Sequence, residues 1–351
     1  MSKESYIKKT FELAKKAQGS TWPNPMVGAV IVKNDRIIGE GYHQKSGTDH
    51  AEIVALKNCT ESPRGATLYV NLEPCCHLNK QTPPCAQRLI QEGIQRVVLS
   101  NLDPNKNVNG KGVQLLKDHG IEVETGVLET EGEKLNEVFF LSQRLLRPFV
   151  HLKLASTLDG KMAMPNGESQ WITGEMARAK VHELRAQHQG IIVGAKTARN
   201  DNPKLNVRIS QYQGEQPWRI IFTRNGELNS DLQLLSDELK FKTLIYSHVP
   251  IKNFPKEQTV LINSLQEALA DLYSRKLISL MLEGGAELAA EFFKQRLIDR
   301  VSLFMNPSFL GNGLNMLPDL GVTELSKRIQ LLDIESNWIG NDILISGRLR
   351  N

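Results

Sequence analysis

Strand-like and helix-like segments alternate along this 351-residue chain; the alternation stops once, at Pro148, and then starts again. The first series opens with a helical segment in which Ile7, Phe11 and Ala14 recur at the three-to-four spacing of an amphipathic helix. It continues through the strand VGAVIV (27–32), a turn at Asn34-Asp35, RIIGEGYH, a helix over 51–58 and the strand ATLYVNL (66–72). After a polar, Pro-rich loop come a helix over 86–93, the strand RVVLSNL (96–102), a helix over 112–120, the strand IEVETGV (121–127) and one long helical stretch over 129–146. Gly93 and Gly120 stand where helices commonly end in a left-handed residue. Short apolar strands separated by helix-length segments predict an α/β fold, a sheet covered by layers of helices.

Proline cannot continue a helix and disfavours helical geometry in the residue before it. The boundary is therefore expected near 146–148, with one domain over 1–146 and another over 147–351. The chain is also longer than one core usually organises. The second series reads as the strand FVHLKLA (149–155), a helix over 175–188, and strands at 190–195, 218–223 and 242–247. A helix over 264–275 follows, then the strand ISLMLEGG (278–285) running into a helix over 286–297, and two final strands around a turn at Gly340-Asn341. No internal repeat or low-complexity tract interrupts either series.

A net charge of +4 does not announce a nucleic-acid groove and suits an anionic small substrate. No apolar run approaches the ~18 residues of a membrane span. The N-terminus lacks the apolar core and cleavage site of a signal peptide, so a cytoplasmic location is the default expectation.

Three of the four cysteines, Cys75, Cys76 and Cys85, fall within eleven residues, which reads as a metal site rather than a disulfide framework. Together with His50-Ala51-Glu52 and Pro74-Cys75, they offer one histidine and two cysteines to zinc and leave a fourth position for water, the catalytic pattern. Glu52 need not be a ligand: it can take a proton from that water and pass it to a ring nitrogen and then to departing ammonia. Residues two apart on a regular helix point in nearly opposite directions, so His50 has to sit at the helix start, with Thr48 and Asp49 as the expected caps. A helix N-terminus also favours the anionic Glu52. The pattern H-x-E…P-C-x-x-C marks zinc deaminases, but here the second cysteine lies ten positions after the first. A lone His-x-Glu is more often structural, and Cys76 stands as a rival to Cys75, which the Pro-Cys pairing favours. Cys59 reads as a small buried residue.

The stretches NPMVGAVIV, GEGYHQKSGTDHAE and NLEPCCHLNKQTPPC together resemble the deaminase domain of the bifunctional riboflavin-biosynthesis deaminase–reductase family. The second half resembles that family's reductase domain in HLKLASTLDGKMA, GESQWITG, RAQHQGIIVGAKTARNDNPKLNVR and LMLEGGAELA, so the resemblance spans essentially the whole chain. It implies a cytidine-deaminase-like α/β/α layered domain followed by a dihydrofolate-reductase-like α/β domain. It implies zinc on His50, Cys75 and Cys85, Glu52 as the proton donor, and substrate contacts from Asn24, His43, His77 and Lys80. In the reductase half it implies NADPH contacts from Ala155, Trp171, Thr197, Asp201 and the segment Gly285, Ala286, Glu287, Leu288, Ala289, Ala290 and Glu291. Substrate contacts there are Ser169, Arg185, Leu205, Arg208 and Glu283. The family usually has eight residues between the two ligand cysteines; this sequence has nine, a departure that falls at His77–Gln81 and bears on Lys80.

The residues of the second half say less when taken alone. There is no Gly-x-Gly-x-x-Gly after a strand, but Glu283-Gly284-Gly285 at a strand-to-helix turn would let a phosphate approach free backbone N–H groups. A simple turn, a solvated Arg185 and a core-packed Trp171 are the bland readings. Planar guanidinium groups at Arg185 and Arg208 suit a ribose 5′-phosphate. The substrate implied is a pyrimidine ribotide, deaminated and then reduced with NADPH, in a homo-oligomer that binds neither nucleic acid nor membrane. A deaminase acting on a flipped base and a non-catalytic zinc scaffold are the rival classes.

Overall fold

The structure, a computed structural model, describes residues 2–76, 84–106, 108–252 and 254–350. The chain divides into two compact units, Met1–Leu146 and Arg147–Asn351.

The first unit is a five-stranded sheet with helices on both faces, the layered arrangement that its sequence pattern predicts. Its strands are β1 (Gly28–Lys33), β2 (Arg36–Tyr42), β3 (Thr67–Leu72), β4 (Arg96–Asn101) and β5 (Glu122–Glu124), in the order β2-β1-β3-β4-β5. β1 pairs antiparallel with β2 and β3, whereas β3, β4 and β5 run parallel. The helices are α1 (Lys3–Lys15), α2 (Ala51–Lys57), α3 (Cys85–Glu92), α4 (Lys111–Asp118), α5 (Glu129–Leu135) and α6 (Glu137–Leu145). On one face Ala29, Ile31, Leu68, Val70, Val97 and Leu99 meet Ala51, Ala55, Leu89 and Leu116 of α2, α3 and α4. On the other, Val30, Val32 and Val98 bury Tyr6, Ile7, Phe11 and Leu13 of α1. The backbone of α2 lies almost directly on β2: a Cβ at Gly41 would sit 2.4 Å from the Ala55 nitrogen. The close approach fixes where the N-terminus of α2 ends up, and His50 with it.

The single helix expected over 129–146 is instead broken at Asn136, whose φ of −112° and ψ of 30° are not helical. Its side chain accepts from the Met26 N–H at 2.8 Å and donates to the Met26 carbonyl at 2.9 Å. An Asx side chain that bonds distant backbone in this way competes with the helix that its neighbours prefer.

The second unit is a nine-stranded mixed sheet. Its strands are β6 (Phe149–Thr157), β8 (Gly190–Gly194), β9 (Trp218–Thr223), β10 (Thr243–Ser247), β11 (Thr259–Leu261), β12 (Ser279–Glu283), β13 (Arg300–Asn306), β15 (Leu331–Ile339) and β16 (Asp342–Leu349); β7 (Lys161–Ala163) and β14 (Leu314–Asn315) pair separately. The order is β11-β10-β9-β8-β12-β6-β13-β16-β15, parallel except at β13–β16 and β16–β15. The helices are α7 (Glu175–Ala186), α8 (Ala195–Asp201), α9 (Gln233–Ser236), α10 (Leu265–Ser274) and α11 (Ala286–Lys294). Parallel strands of this kind present ligand sites at their C-terminal ends. Several elements escape the sequence reading, among them the short β7, β11, β14 and α9. The strand drawn over 190–195 gives way to α8 at Ala195, and β13 was not anticipated. β13 buries Val301 and Ser302 in succession, so no period-two alternation marks it.

Ser302 is buried because a polar chain crosses the sheet through it. His188 bonds Ser279 Oγ at 3.1 Å and His151 at 2.9 Å; His151 bonds Ser302 Oγ at 2.9 Å, and Ser302 donates to Ser346 Oγ at 3.2 Å. Burial lowers His188 to about 4 and holds His151 well below the ordinary imidazole value. Both rings are neutral when folded, whereas the unfolded chain takes up protons below about pH 6.5. Stability is therefore complete above that value and is lost as pH falls toward 4, by on the order of 3 kcal/mol for His188. Denaturant unfolding measured between pH 7 and 4 should show this loss, and His188→Gln should flatten it; an unchanged slope in the variant contradicts the assignment.

Candidate functional site

Three donors arrive at one point from three elements. His50 precedes α2 with extended dihedrals (φ −72°, ψ 160°), as the His-x-Glu spacing demands; Cys75 follows β3; and Cys85 opens α3. His50 Nδ1 lies 3.5 Å from Cys75 Sγ and 3.2 Å from Cys85 Sγ, and the three ligand atoms fall within 4.8 Å of one another. Tetrahedral zinc bonds place ligand atoms roughly 3.3–3.8 Å apart, so both donor chemistry and spacing fit zinc. Among the described residues no other group of His, Cys, Asp and Glu side chains converges in this way. It is the Cys75 thiol that reaches the cluster, while Cys76 packs against the apolar core under the helices. The hydrogen bond between the two thiols holds Cys75 well below the ordinary thiol value and raises Cys85 well above it.

Glu52 is 3% exposed, and burial raises its carboxyl above the ordinary range against the opposing charge of His50. A carboxyl whose affinity for the proton is raised in this way can both accept and return one. The expected caps do not form. Thr48 Oγ1 donates to the Lys45 carbonyl, the Asp49 carboxylate pairs with Lys57 at 2.5 Å, and His50 occupies the N-cap position without a side-chain bond that caps the helix. The tight seating of α2 on β2, rather than a cap, sets this terminus.

Beside the cluster, the Asp49 carbonyl accepts from His43 Nδ1 at 3.0 Å, which leaves Nε2 to accept from Asn24 Nδ2 at 3.1 Å. His77 and Lys80 lie outside the described residues.

Sequence reasoning missed the residue that aims Cys75. Glu73, buried at the end of β3, accepts four backbone N–H groups: Asp103 at 3.2 Å, Gly110 at 2.9 Å, Gly112 at 2.9 Å and Val113 at 3.1 Å. The anion thus sits on the N-terminus of α4 and ties the Pro74-Cys75 segment to it. A Cβ at Gly112 would stand 2.2 Å from the Pro74 carbonyl, so only glycine permits the contact.

In the second unit, Arg185 grips Glu283 through Nε at 2.6 Å and Nη2 at 2.8 Å, while Nη1 donates to the Asn206 carbonyl at 3.1 Å. Burial would raise the Glu283 carboxyl, but Arg185 and Lys153 outweigh it and hold the group below the ordinary range. Lys153 stands opposite Glu283 across the β6–β12 pairing, and burial lowers its ammonium against the pull of that carboxylate. A lysine inside the apolar strand FVHLKLA was the sequence signal for it. Arg208 is exposed, with Nη1 on the Asn206 side chain at 2.8 Å. Leu205 turns its side chain into a core cluster with Ile191 and Val193, which leaves only its backbone for a ligand.

The turn after β12 places Gly284 and Gly285 at φ of 73° and 75°, left-handed values that glycine adopts without strain. Cβ atoms there would meet Thr197 at 3.0 and 3.2 Å. Of the following segment, Ala289 and Ala290 face the core, Leu288 packs on it, and Glu287 pairs with Lys196 at the surface. Asp201 ends α8, and Ala155 lies on β6 opposite Phe304. Ser169 and Trp171 line a cavity of about 520 Å³ beside Thr157 at the end of β6; Trp171 is 68% exposed, with Arg178 stacked 4.7 Å from its ring centre. Among the described residues no helix is long and apolar enough to cross a membrane.

Fold and site together define a zinc-dependent deaminase of the cytidine-deaminase type joined to a dihydrofolate-reductase-like reductase that uses NADPH. Comparison with known proteins agrees. The cytidine and deoxycytidylate deaminase zinc-binding region matches residues 1–101, and the RibD C-terminal domain matches residues 148–345. The riboflavin biosynthesis protein RibD of Aquifex aeolicus is 39% identical over 349 residues, 97% of each chain, and that of Escherichia coli is 36% identical over 98% of this chain and 99% of the relative. Acinetobacter baumannii RibD superimposes with a TM-score of 0.90 at 36% identity, and the Thermotoga maritima deaminase/reductase with 0.88 at 37%, each over 99% of both chains. The chain belongs to the RibD family, the bifunctional deaminase–reductases of riboflavin biosynthesis.

Zinc content should follow the geometry: Cys75→Ala loses the metal, whereas Cys76→Ala retains one zinc per chain by elemental analysis. Glu73→Gln, which trades one of two acceptor oxygens for a donor, should weaken zinc retention against a chelator about tenfold; an unchanged exchange rate would show that Glu73 does not aim Cys75.

Proposed function

We propose that Met1–Leu146 is the deaminase and Arg147–Asn351 the reductase, and that the two act in turn on a pyrimidine ribotide. The first reaction is deamination of 2,5-diamino-6-ribosylamino-4(3H)-pyrimidinone 5′-phosphate. The second is reduction of its ribosyl group to ribityl, giving 5-amino-6-(5-phosphoribitylamino)uracil. The observation that carries this reading is the convergence of His50, Cys75 and Cys85, with the buried Glu52 two residues from His50, in a chain whose other half matches the RibD reductase domain.

In the deaminase, His50, Cys75 and Cys85 hold the zinc, which when bound supplies the Lewis acidity that makes water nucleophilic near neutral pH. Glu52 takes a proton from the attacking water and gives it to the ring nitrogen, then takes the remaining proton of the newly added hydroxyl and gives it to the amino group, which leaves as ammonia. Asn24 and His43 orient the pyrimidine, supported by the chain of bonds back to the Asp49 carbonyl. His77 and Lys80 complete the set that the resemblance implies.

In the reductase, Ala155, Trp171, Thr197, Asp201 and the Gly285–Glu291 segment hold NADPH, which when bound supplies the hydride. The free N–H groups at the start of α11 suit its phosphates. Arg185 is already committed to Glu283 and the Asn206 carbonyl, so we assign it to fixing that carboxylate in the site. The exposed Arg208 is the one to receive the substrate phosphate. Ser169 and the Leu205 backbone complete the substrate contacts. The setting we propose is a homo-oligomer in the cytoplasm that acts on the free nucleotide. The outer strand β15, with Ile334 and Trp338 more than 60% exposed, supports the oligomer.

A coupled assay on the zinc-loaded protein with the diaminopyrimidinone ribotide separates the two steps, with ammonia release reporting the first and NADPH oxidation the second. Glu52→Gln should cut ammonia release by about 10²–10⁴-fold while leaving NADPH oxidation on the deaminated ribotide intact. Undiminished ammonia release in the variant removes the assigned role of Glu52; neither activity in the parent protein removes the substrate assignment.

A further inference from the structure

We infer that Asp342 is a positioning residue of the reductase: it clamps the 168–174 loop, which carries Ser169 and Trp171, to the rim of the cavity that they line. The inference rests on the assignment of this loop to ligand binding made above.

Asp342 is the first residue of β16, just past the Gly340-Asn341 turn, and is 1% exposed. Its two carboxylate oxygens go to two different parts of the cavity wall. Oδ2 accepts from the Gly174 N–H at 2.7 Å, and Oδ1 accepts from the Asn306 side chain at 2.7 Å. Gly174 and Asn306 both line the cavity. A buried carboxylate is costly unless its oxygens are hydrogen-bonded, and here the bonds run to the loop rather than to solvent.

Gly174 is also the N-cap of α7 and has no side chain with which to cap it. Asp342 places a negative charge at that positive helix end, so the bond is stronger than one to a neutral acceptor. The hairpin that carries Asp342 is seated on the same helix: a Cβ at Gly340 would lie 3.1 Å from Met176 Sδ. From the other side, Arg178 donates to the Thr173 carbonyl at 2.8 Å and stacks on Trp171. The loop is therefore gripped twice, by Arg178 from within α7 and by Asp342 from a hairpin 168 positions further along the chain.

The test uses the full chain with Asp342→Ala, Asp342→Asn and the exposed control Asn341→Ala. Three quantities are measured: hydrogen exchange of the 168–178 segment without ligand, equilibrium binding of NADPH and of the deaminated ribotide, and the reductase KM and kcat. In Asp342→Ala, exchange in 168–178 should rise on the order of tenfold while β6 and β12 stay protected. Affinity for at least one ligand should fall comparably, with KM moving more than kcat. Asp342→Asn keeps one acceptor and should fall between; it carries the comparison alone if Asp342→Ala does not fold. Asn341→Ala should match the parent. Parent-like exchange of 168–178 in the Asp342 variants overturns the inference. Raised exchange with unchanged affinity for both ligands leaves the clamp in place and overturns the assignment of this loop to ligand binding.

Discussion

Two thiols and an imidazole, separated by up to 35 positions in the sequence, have to meet within 4.8 Å, and much of the first unit answers to that requirement. Each donor sits where a regular element starts or stops: before α2, after β3 and at the first residue of α3. Only at such junctions can residues two apart, such as His50 and Glu52, turn toward one centre. The placement is then enforced from outside. Gly41 lets α2 rest on β2, Glu73 ties Pro74-Cys75 to α4, and Asn136 and Asn71 hold Met26, two residues from Asn24, through its backbone. Ligand geometry in this unit is a consequence of packing and buried hydrogen bonds before any metal binds.

The second unit solves a different problem, that of keeping charges under cover at the end of a parallel sheet. Glu283 would resist ionising in its buried position, but the two-point grip of Arg185 and the ammonium of Lys153 keep it charged. Removing one partner of such a set leaves an uncompensated buried charge, which costs far more than the intact pair contributes. The nearby His151–His188 chain stays neutral because burial outweighs the pull of Glu283 on His188.

The alternating layers, the cytidine-deaminase-like and dihydrofolate-reductase-like fold types, and the two cofactors were all legible in the sequence. The reason is that strands, helices and ligand motifs are written in local patterns. The positioning residues were not. Glu73, Asn136 and Asp342 bond backbone N–H and carbonyl groups 30 to 168 positions away, and a backbone group has no sequence identity to recognise. Asn136 shows the cost: it sits inside a helical pattern and breaks it for the sake of Met26. The caps assigned to Thr48 and Asp49 failed because local propensity yielded to a close helix–strand contact. Lys153 stood in plain sight as a charge in an apolar strand, yet only its register opposite Glu283 gives it a partner.

The central claim is that one chain carries two chemistries with separate requirements, and zinc removal tests it most directly. Protein stripped of metal with a strong chelator, confirmed zinc-free and still folded, is assayed for ammonia release from the diaminopyrimidinone ribotide and for NADPH oxidation with the deaminated ribotide. The account predicts that ammonia release disappears and returns on adding zinc, while NADPH oxidation continues at the parent rate. Ammonia release that survives the loss of zinc would contradict it.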